Sequence, residues 1–201
     1  MPDSFHARHS AKGKLYEYRI LNRPERAAVE RNYCWHVHRS LNDTAISTAG
    51  ITLIGSHDFS SFQTQPTDND DPICHLQRFT LLREGDQLRI AFYADRFLKQ
   101  MIRSIVGTLL EVGLGKRSPD SLTTILKARD RSAAGKTAPS QGLFLVRHVL
   151  DEVTVTGHVH NTDLLAVGQR KPAEAEFDGH LALLLFLQAV GMNARERGDQ
   201  G

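Results

Sequence analysis

The residues with the clearest chemical potential lie in a stretch that reads FLKQMIRSIVG over residues 97–107. Its apolar side chains recur at helical spacing and predict a helix with one buried face. On that helix Arg103 falls nearly opposite the centre of the apolar face, and Gly107 lies one turn further along beside it. A guanidinium held rigidly next to a residue without a side chain would present a fixed positive charge in a narrow cleft. The alternative is a solvated arginine on a surface helix.

A second candidate is an aromatic strand near the start of the chain, which reads KLYEY over residues 14–18. Strand alternation puts Tyr16, Tyr18 and Ile20 on one face. Tyr16 is the residue of this strand that we single out as a candidate site residue. The alternative is a core aromatic on a strand face, and packing is the role that we predict for Tyr18.

A metal site is the competing interpretation of a third group of residues. A strand would put Cys34, His36 and His38 on one face, where Cys74 or His75 could supply a fourth zinc ligand. The spacing differs from that of zinc fingers. We therefore interpret these residues as hydrogen-bonded histidines and small buried cysteines, and we expect no metal site.

Four segments occur in an order and spacing that resemble the C-terminal half of the tRNA pseudouridine synthase A family. They are residues 5–18 (FHARHSAKGKLYEY), 55–62 (GSHDFSSF), 97–107 and 142–145 (GLFL). The resemblance runs from about residue 5 to residue 149. It implies an isomerase that breaks the bond between uracil N1 and the ribose, turns the base and rejoins it through C5. Such a reaction needs no cofactor or metal, and the target base must leave the stack to be reached.

The resemblance also implies roles for individual residues. Tyr16 matches the active-site tyrosine, whose ring stacks on the flipped uracil and whose hydroxyl lies near the proton lost from C5. Arg103 matches the arginine that pairs with the nucleophilic carboxylate and keeps it ionised. Leu143 matches an apolar residue that lines the base pocket, with a packed core position as its alternative. Arg8 suits a contact with an RNA phosphate, which positions the RNA without reading its sequence.

One part of the family pattern is missing. In the family the nucleophilic aspartate lies in an Arg-Thr-Asp segment of the first half, and this sequence contains no such segment. Residues 1–5 resemble the linker that joins the two halves. We therefore expect the chain alone to be catalytically silent, with Arg103 as an unpaired cation in an open groove. Asp95, just before the predicted helix, is a weak candidate to replace the missing carboxylate.

The expected partners follow from the same resemblance. They are tRNA, bound at the anticodon stem-loop, together with either a second copy of the chain in a homodimer or a missing N-terminal domain. Two other functions stay open. The chain could be an RNA-binding module without catalysis, or one half of a split enzyme that a separate chain completes.

Composition sets broad limits on location and partners. The chain has 201 residues, of which 40% are hydrophobic, and a formal net charge of +2. Basic residues concentrate in residues 1–14 and 96–136, two zones that could face one RNA backbone, with surface solubilisation as the alternative. Two cysteines indicate a reducing compartment. The sequence shows neither a signal peptide nor a membrane-spanning run, so we expect a cytoplasmic protein without a membrane partner.

Periodicity and turn residues predict an α+β fold in which a mixed, mainly antiparallel sheet carries helices packed mostly on one face. We predict strands over 15–22, 33–38, 73–82, 87–94 and 143–149, and helices from the capping segment 40–43 to about 54, over 97–112 and from 118. Ser40 is the predicted cap of the first helix, Gly55 its predicted end, and 55–62 a predicted loop. Residues 1–150 form the predicted domain, and 151–201 an unassigned extension that we expect to be partly disordered.

Overall fold

The protein contains a six-stranded sheet, and its first strand lies in the interior of that sheet. The structure is a computed structural model that describes residues 11–26, 28–66 and 71–150. The strands are β1 (Ala11–Asn22), β2 (Trp35–Val37), β3 (Gly55–Asp58), β4 (Ile73–Glu84), β5 (Gln87–Ala94) and β6 (Leu143–Leu150). The helices are α1 (Asp43–Ile51), α2 (Met101–Gly113) and α3 (Ser121–Ala128).

Strand β1 is paired along both edges. Strand β5 runs antiparallel along one edge, and β4 and β3 follow it outward in antiparallel pairs. The other edge of β1 is shared by two strands, with β6 antiparallel beside its first part and β2 parallel beside its last residues. The sheet is therefore mixed and mainly antiparallel, which confirms the predicted α+β class.

The main core lies on one face of this sheet. Tyr18 and Ile20 of β1 are fully buried there, together with the inward-facing side chains of β5. The apolar side chains of all three helices belong to the same core, so the helices pack mostly on one face, as predicted. The stripe predicted for α2 is confirmed for the six members that lie on the helix, all of them buried: Met101, Ile102, Ile105, Val106, Leu109 and Leu110. The other two members, Leu98 and Phe97, precede the helix, the first buried and the second partly buried against the core.

The ends of helix α1 differ from the prediction. Asn42, rather than Ser40, caps its start, because the Asn42 side chain accepts the N–H of Ala45 at 3.0 Å. The helix ends at Ile51, and Gly55 opens strand β3 with a φ of 114°, a conformation that favours glycine. Residues 55–62 are accordingly a short strand and a helical turn rather than a loop.

Helix α2 begins at Met101, four residues later than predicted. The reason is Gln100, whose left-handed backbone (φ 64°) is incompatible with a continuous helix. Residues 97–100 thus form a turn that precedes the helix, and the position of the Phe97 ring is set by this turn rather than by the helix.

The other strand predictions are confirmed, with ends that shift by a few residues. Strands β4 and β5 form a hairpin around Gly85, whose φ is 57°. Helix α3 begins at Ser121, just after the predicted start at Ser118. No helix in the described ranges is long and apolar enough to cross a membrane. The predicted extension, 151–201, and the basic zone at 1–14, apart from its last four residues, lie outside the described residues, so the predicted domain division stays a prediction.

Candidate active site

Tyr16 meets the turn that leads into α2. Its ring contacts Phe97 edge to face, with centroids 5.2 Å apart and planes at 85°. Across the sheet Tyr16 is aligned with Phe92 of β5 on one side and with Leu145 of β6 on the other. Tyr16 is partly exposed and Leu145 is 53% exposed, so this part of the sheet face is open to solvent.

Tyr18 lies two residues further along the same face and is fully buried. Its hydroxyl donates a hydrogen bond to the backbone carbonyl of Pro139 at 2.6 Å. Burial raises the pKa of this phenol, and the positive charge of Arg103 acts in the opposite direction. The phenol is therefore a permanent donor at neutral pH, and it lies within electrostatic reach of the Arg103 guanidinium.

Arg103 is held on one side by the backbone of the loop before β6. Its Nε–H donates to the carbonyl of Ala138 at 2.7 Å, and the N–H of Ala138 donates back to the carbonyl of Arg103 at 3.0 Å. In the described part of the chain, Nη1 and Nη2 of Arg103 have no hydrogen-bond or ion-pair partner. Among these residues, no carboxylate pairs with Arg103, as expected. Its guanidinium is nevertheless fixed by a hydrogen bond to the Ala138 carbonyl, whereas we expected an open groove.

Gly107 explains how the loop comes so close to α2. A Cβ atom built on Gly107 would overlap the backbone carbonyl of Lys136. The absence of a side chain at this position therefore lets the loop backbone lie directly on the helix, one turn beyond Arg103. The sequence placed Gly107 one turn from Arg103, and the structure gives the reason: the backbone of residues 136–138 packs against the helix at Gly107.

The same loop is anchored at further points. Arg131 donates to the carbonyl of Gly135 at 3.0 Å and to the hydroxyl of Thr137 at 2.8 Å. The N–H of Gly135 donates to the buried hydroxyl of Thr108 in α2 at 2.9 Å. These bonds join the loop to itself and to the helix, and they make residues 131–139 a fixed wall beside Arg103.

Leu143 follows this loop as the first residue of β6. It is aligned with Tyr18 across the sheet and packs partly buried against the core. Leu145, the next residue on that face, is the one aligned with Tyr16. The sequence analysis did not identify Leu145 as a candidate pocket residue. The alternation of side chains along β6 could have identified it, because Leu143 and Leu145 lie on the same face of the strand.

The basic zone predicted over residues 96–136 is partly used inside the protein. Arg96 pairs with Asp71 at 2.6 Å, and Arg117 pairs with Glu111 at 2.6 Å. Together with Arg131, these arginines serve the fold, so fewer cations of this zone are available to RNA than the sequence suggested.

The nearby aspartates have structural roles. Asp58 accepts the backbone N–H of Ser60 at 2.9 Å and pairs with Arg129 at 3.0 Å, so it holds the turn that follows β3. Asp95 accepts the backbone N–H groups of His75 at 2.9 Å and Arg96 at 2.6 Å. Asp95 is therefore occupied by the backbone rather than presented to Arg103.

The histidines and cysteines are dispersed among local contacts. His36 Nε2 lies 2.8 Å from the carbonyl of Arg23, and Cys34 donates to the carbonyl of Glu30 at 3.2 Å. Burial raises the pKa of the Cys74 thiol to about 11. Within the described ranges, the side chains of His, Cys, Asp and Glu form no group of three that could hold a metal ion.

Comparison with known proteins relates this chain to one family. A family model described as tRNA pseudouridine synthase matches residues 49–149, half of the chain. The chain belongs to the tRNA pseudouridine synthase family. Arg103 and Leu143 lie inside the matched range, and Tyr16 lies before it.

Individual members of the tRNA pseudouridine synthase family extend the match. The tRNA pseudouridine synthase A of Halalkalibacterium halodurans is 46% identical over 144 residues, which cover 72% of this chain and 55% of the relative. The Thermoanaerobacter pseudethanolicus protein of the same name is 46% identical over 145 residues, 72% of this chain and 59% of the relative. That of Caulobacter sp. is 41% identical over 143 residues, 71% of this chain and 57% of the relative. The chain thus spans little more than half the length of these relatives.

Three of the four residues that the sequence singled out have Tyr18 as a common neighbour, and their joint role in a site stays a prediction. Tyr16, Arg103 and Leu143 are connected through Tyr18, which is aligned with Leu143, lies beside the Arg103 charge and shares its face with Tyr16. Arg8 lies outside the described residues. Sequence reasoning missed the polar role of Tyr18, because its partner, Pro139, is 121 positions away and acts through a backbone carbonyl.

Proposed function

We propose that this protein isomerises uridine to pseudouridine in the anticodon stem-loop of tRNA. The observation that carries the proposal is the state of Arg103. Its guanidinium is anchored at Nε to Ala138, and its two terminal amino groups have no partner in the described ranges. An arginine in this state offers two parallel N–H donors to a carboxylate, within the segment that matches the family.

The proposed role of Arg103 is to bind and orient the nucleophilic carboxylate of an aspartate. An adjacent guanidinium lowers the pKa of a carboxyl group, so the aspartate would stay ionised at neutral pH. Because guanidinium and carboxylate match in two points, the pair would also fix the direction of the attacking oxygen.

The proposed roles of the other residues follow the course of the base. Tyr16 stacks on the flipped uracil, and its phenol oxygen takes the proton that leaves C5 once the new bond between C5 and the ribose has formed, as the proton it already carries passes to water. N1 gains a proton in exchange, so the reaction is balanced without any oxidant or transferred group. Leu143 supplies an apolar wall to the base, and Arg8 binds an RNA phosphate.

The aspartate itself is proposed to come from outside the 201 residues of this sequence, which contain no Arg-Thr-Asp segment. A longer form of the chain or a separate polypeptide would supply it.

We also propose a homodimer, which light scattering can measure directly. We propose that the protein is located in the cytoplasm, where it would bind its tRNA substrate.

Tritium release from tRNA labelled at C5 of its uridines tests this function, because pseudouridine formation replaces the C5–H bond. The protein would be assayed alone and mixed with the part of the Halalkalibacterium halodurans relative that it does not span. We expect release only from the mixture. Arg103→Lys should lower the rate about 100-fold or more, because a point charge replaces the two-point fork. The matched control is Arg129→Lys, at a side chain that is 70% exposed.

Two outcomes would contradict the proposal. Release by the protein alone would show that the carboxylate lies within this chain. Salt-dependent tRNA binding by a stable mixture that releases no tritium would instead support an RNA-binding module without catalysis.

A further inference from the structure

Two side chains converge on adjacent carbonyls of one loop segment, residues 136–139. Arg103 donates Nε–H to the carbonyl of Ala138 at 2.7 Å, and Tyr18 donates its hydroxyl to the next carbonyl, that of Pro139, at 2.6 Å. Neighbouring carbonyls belong to peptide units that share one Cα atom, so fixing one restricts the other. The hydroxyl of Tyr18 therefore limits where the acceptor for Arg103 can lie.

A third contact presses the 136–139 segment onto the helix. The carbonyl of Lys136 lies against Gly107, in the place that a Cβ atom would occupy. The atoms that such a Cβ would meet belong to the Lys136 backbone, which cannot move aside as the end of a flexible side chain can. The segment is thus held from the helix side by Gly107 and from the strand side by Tyr18.

The buried position of Tyr18 makes its bond durable. The side chain is fully buried, and its ring is closed in by the backbone of Gly142, on which a Cβ atom would lie 2.8 Å from the ring. Trp35 contacts the other part of the ring edge to face, with centroids 6.4 Å apart. Loss of the Tyr18 hydroxyl would remove the donor that holds the partly buried Pro139 carbonyl in place.

The consequence for Arg103 is a choice between two ways of binding an anion. A guanidinium can receive a carboxylate or phosphate side-on, through Nε and one Nη, or end-on, through both Nη atoms. Because Nε is bound to Ala138, only the end-on arrangement is available. The position of the Ala138 carbonyl therefore sets the direction in which Arg103 presents its charge.

We propose that Tyr18 is a positioning residue for Arg103, which it orients for end-on binding of a carboxylate or phosphate by holding the Pro139 carbonyl and, through it, the Ala138 carbonyl. Tyr18 does not touch the anion. Its importance for catalysis rests on the function proposed above, whereas its effect on the Arg103 guanidinium does not.

Solvent exchange of the Arg103 Nε–H, followed by NMR on the full chain with isotope-labelled arginine, tests the inference without any need for activity. Arg103→Lys assigns the signal by removing it. A hydrogen-bonded Nε–H exchanges slowly, and Tyr18→Phe should accelerate its exchange about tenfold, the order expected when a net hydrogen bond of this kind is lost. Gly107→Ala should accelerate the same exchange, because it displaces the segment from the other side.

Two controls separate positioning from general loosening of the fold. Tyr33→Phe removes the hydroxyl of a side chain that is 60% exposed and should leave the exchange unchanged. Gly50→Ala strains α1 against Phe79, away from the 136–139 segment, and should lower stability without a selective effect on Arg103. If Gly107→Ala does not fold, Tyr18→Phe decides the matter, since phenylalanine keeps the shape of the ring.

The result that overturns the inference is an Arg103 Nε–H that exchanges equally in wild type and in Tyr18→Phe, or one that Gly50→Ala accelerates as much as Tyr18→Phe does. The exchange rates are decisive whether or not the chain modifies tRNA. If the reconstituted enzyme is active, Tyr18→Phe should also lower kcat while KM for tRNA changes little.

Discussion

The ring of Tyr16 meets the ring of Phe97 edge to face, with the two centroids 5.2 Å apart. This contact joins the central strand to the turn that starts α2, and so it connects the proposed base-stacking residue with the helix that carries Arg103. The contact exists because the helix starts only at Met101, after the left-handed Gln100. Had the helix begun at Phe97, this ring would have followed the helical stripe.

Phe97→Leu should therefore loosen Tyr16. Leucine is also apolar, but it is smaller and lacks the aromatic edge, and we expect a loss of about 1 kcal/mol in the free energy of unfolding, measured with urea. Because Tyr16 loses its support, tritium release by the reconstituted enzyme should fall as well.

The matched control for this variant is Phe144→Leu. Phe144 lies on the opposite face of the sheet, where its ring is covered by the Arg19 guanidinium at 4.2 Å. The control should lose comparable stability and keep its activity. Equal losses of activity in both variants would mean that Phe97 has no special relationship with Tyr16.

Gly50 should be required by the packing of α1 rather than by the site. A Cβ atom on Gly50 would overlap the ring of Phe79, which is buried in the core. We expect Gly50→Ala to lower the free energy of unfolding by about 1–3 kcal/mol, the usual range for overpacking. Thr48→Ala, at an exposed position of the same helix, should stay within about 0.5 kcal/mol of wild type. A stable Gly50→Ala protein would show that α1 does not pack against β4 as described.

Tyr18 should make stability depend on alkaline pH. Burial raises its pKa above the ordinary value of 10.0, so the folded state holds this proton more tightly than the unfolded state. The protonated Tyr18 hydroxyl therefore stabilises the fold fully below pH 10, the ordinary pKa of tyrosine, and this stabilisation is lost as the pH rises from there through the raised pKa of the folded state. Removing the hydroxyl should make the unfolding free energy less dependent on pH in this alkaline range.

Tyrosinate absorbance measures this directly. Native wild type and native Tyr18→Phe should give the same titration curve up to the pH at which the chain unfolds. In concentrated urea the variant should show one tyrosine fewer of the four. A native curve that is already one tyrosine lower in the variant, before unfolding, would mean that Tyr18 ionises in the folded protein.

The sequence was sufficient where local pattern determines structure. The apolar stripe of α2 and the hairpin at Gly85 follow from periods and turn residues within a few positions. It was insufficient where two local choices compete, as between Ser40 and Asn42, which are both good helix caps. A tertiary contact favours Asn42, whose backbone N–H donates to the carbonyl of Gly113 in α2 at 2.9 Å.

The candidate site shows the same division. Tyr16, Arg103 and Leu143 were identified through segments that resemble a family, and Gly107 through its place beside Arg103. The bonds of Arg103 to Ala138 and of Tyr18 to Pro139 join residues 35 and 121 positions apart through backbone carbonyls. Carbonyls are present at every residue, so the sequence contains no signal that selects these two.

The central claim is that the flipped uracil binds against Tyr16, beside Arg103. Photo-cross-linking with an anticodon stem-loop that contains 5-iodouridine tests it most directly, because this base reacts with aromatic side chains that it contacts and no turnover is needed. After trypsin, which cuts at Lys14 and Arg19, the fragment spectrum separates Tyr16 from Tyr18. We predict a cross-link on Tyr16 that is lost in Tyr16→Leu and kept in Tyr33→Phe. A cross-link that maps to another surface and is unchanged in Tyr16→Leu would contradict this account.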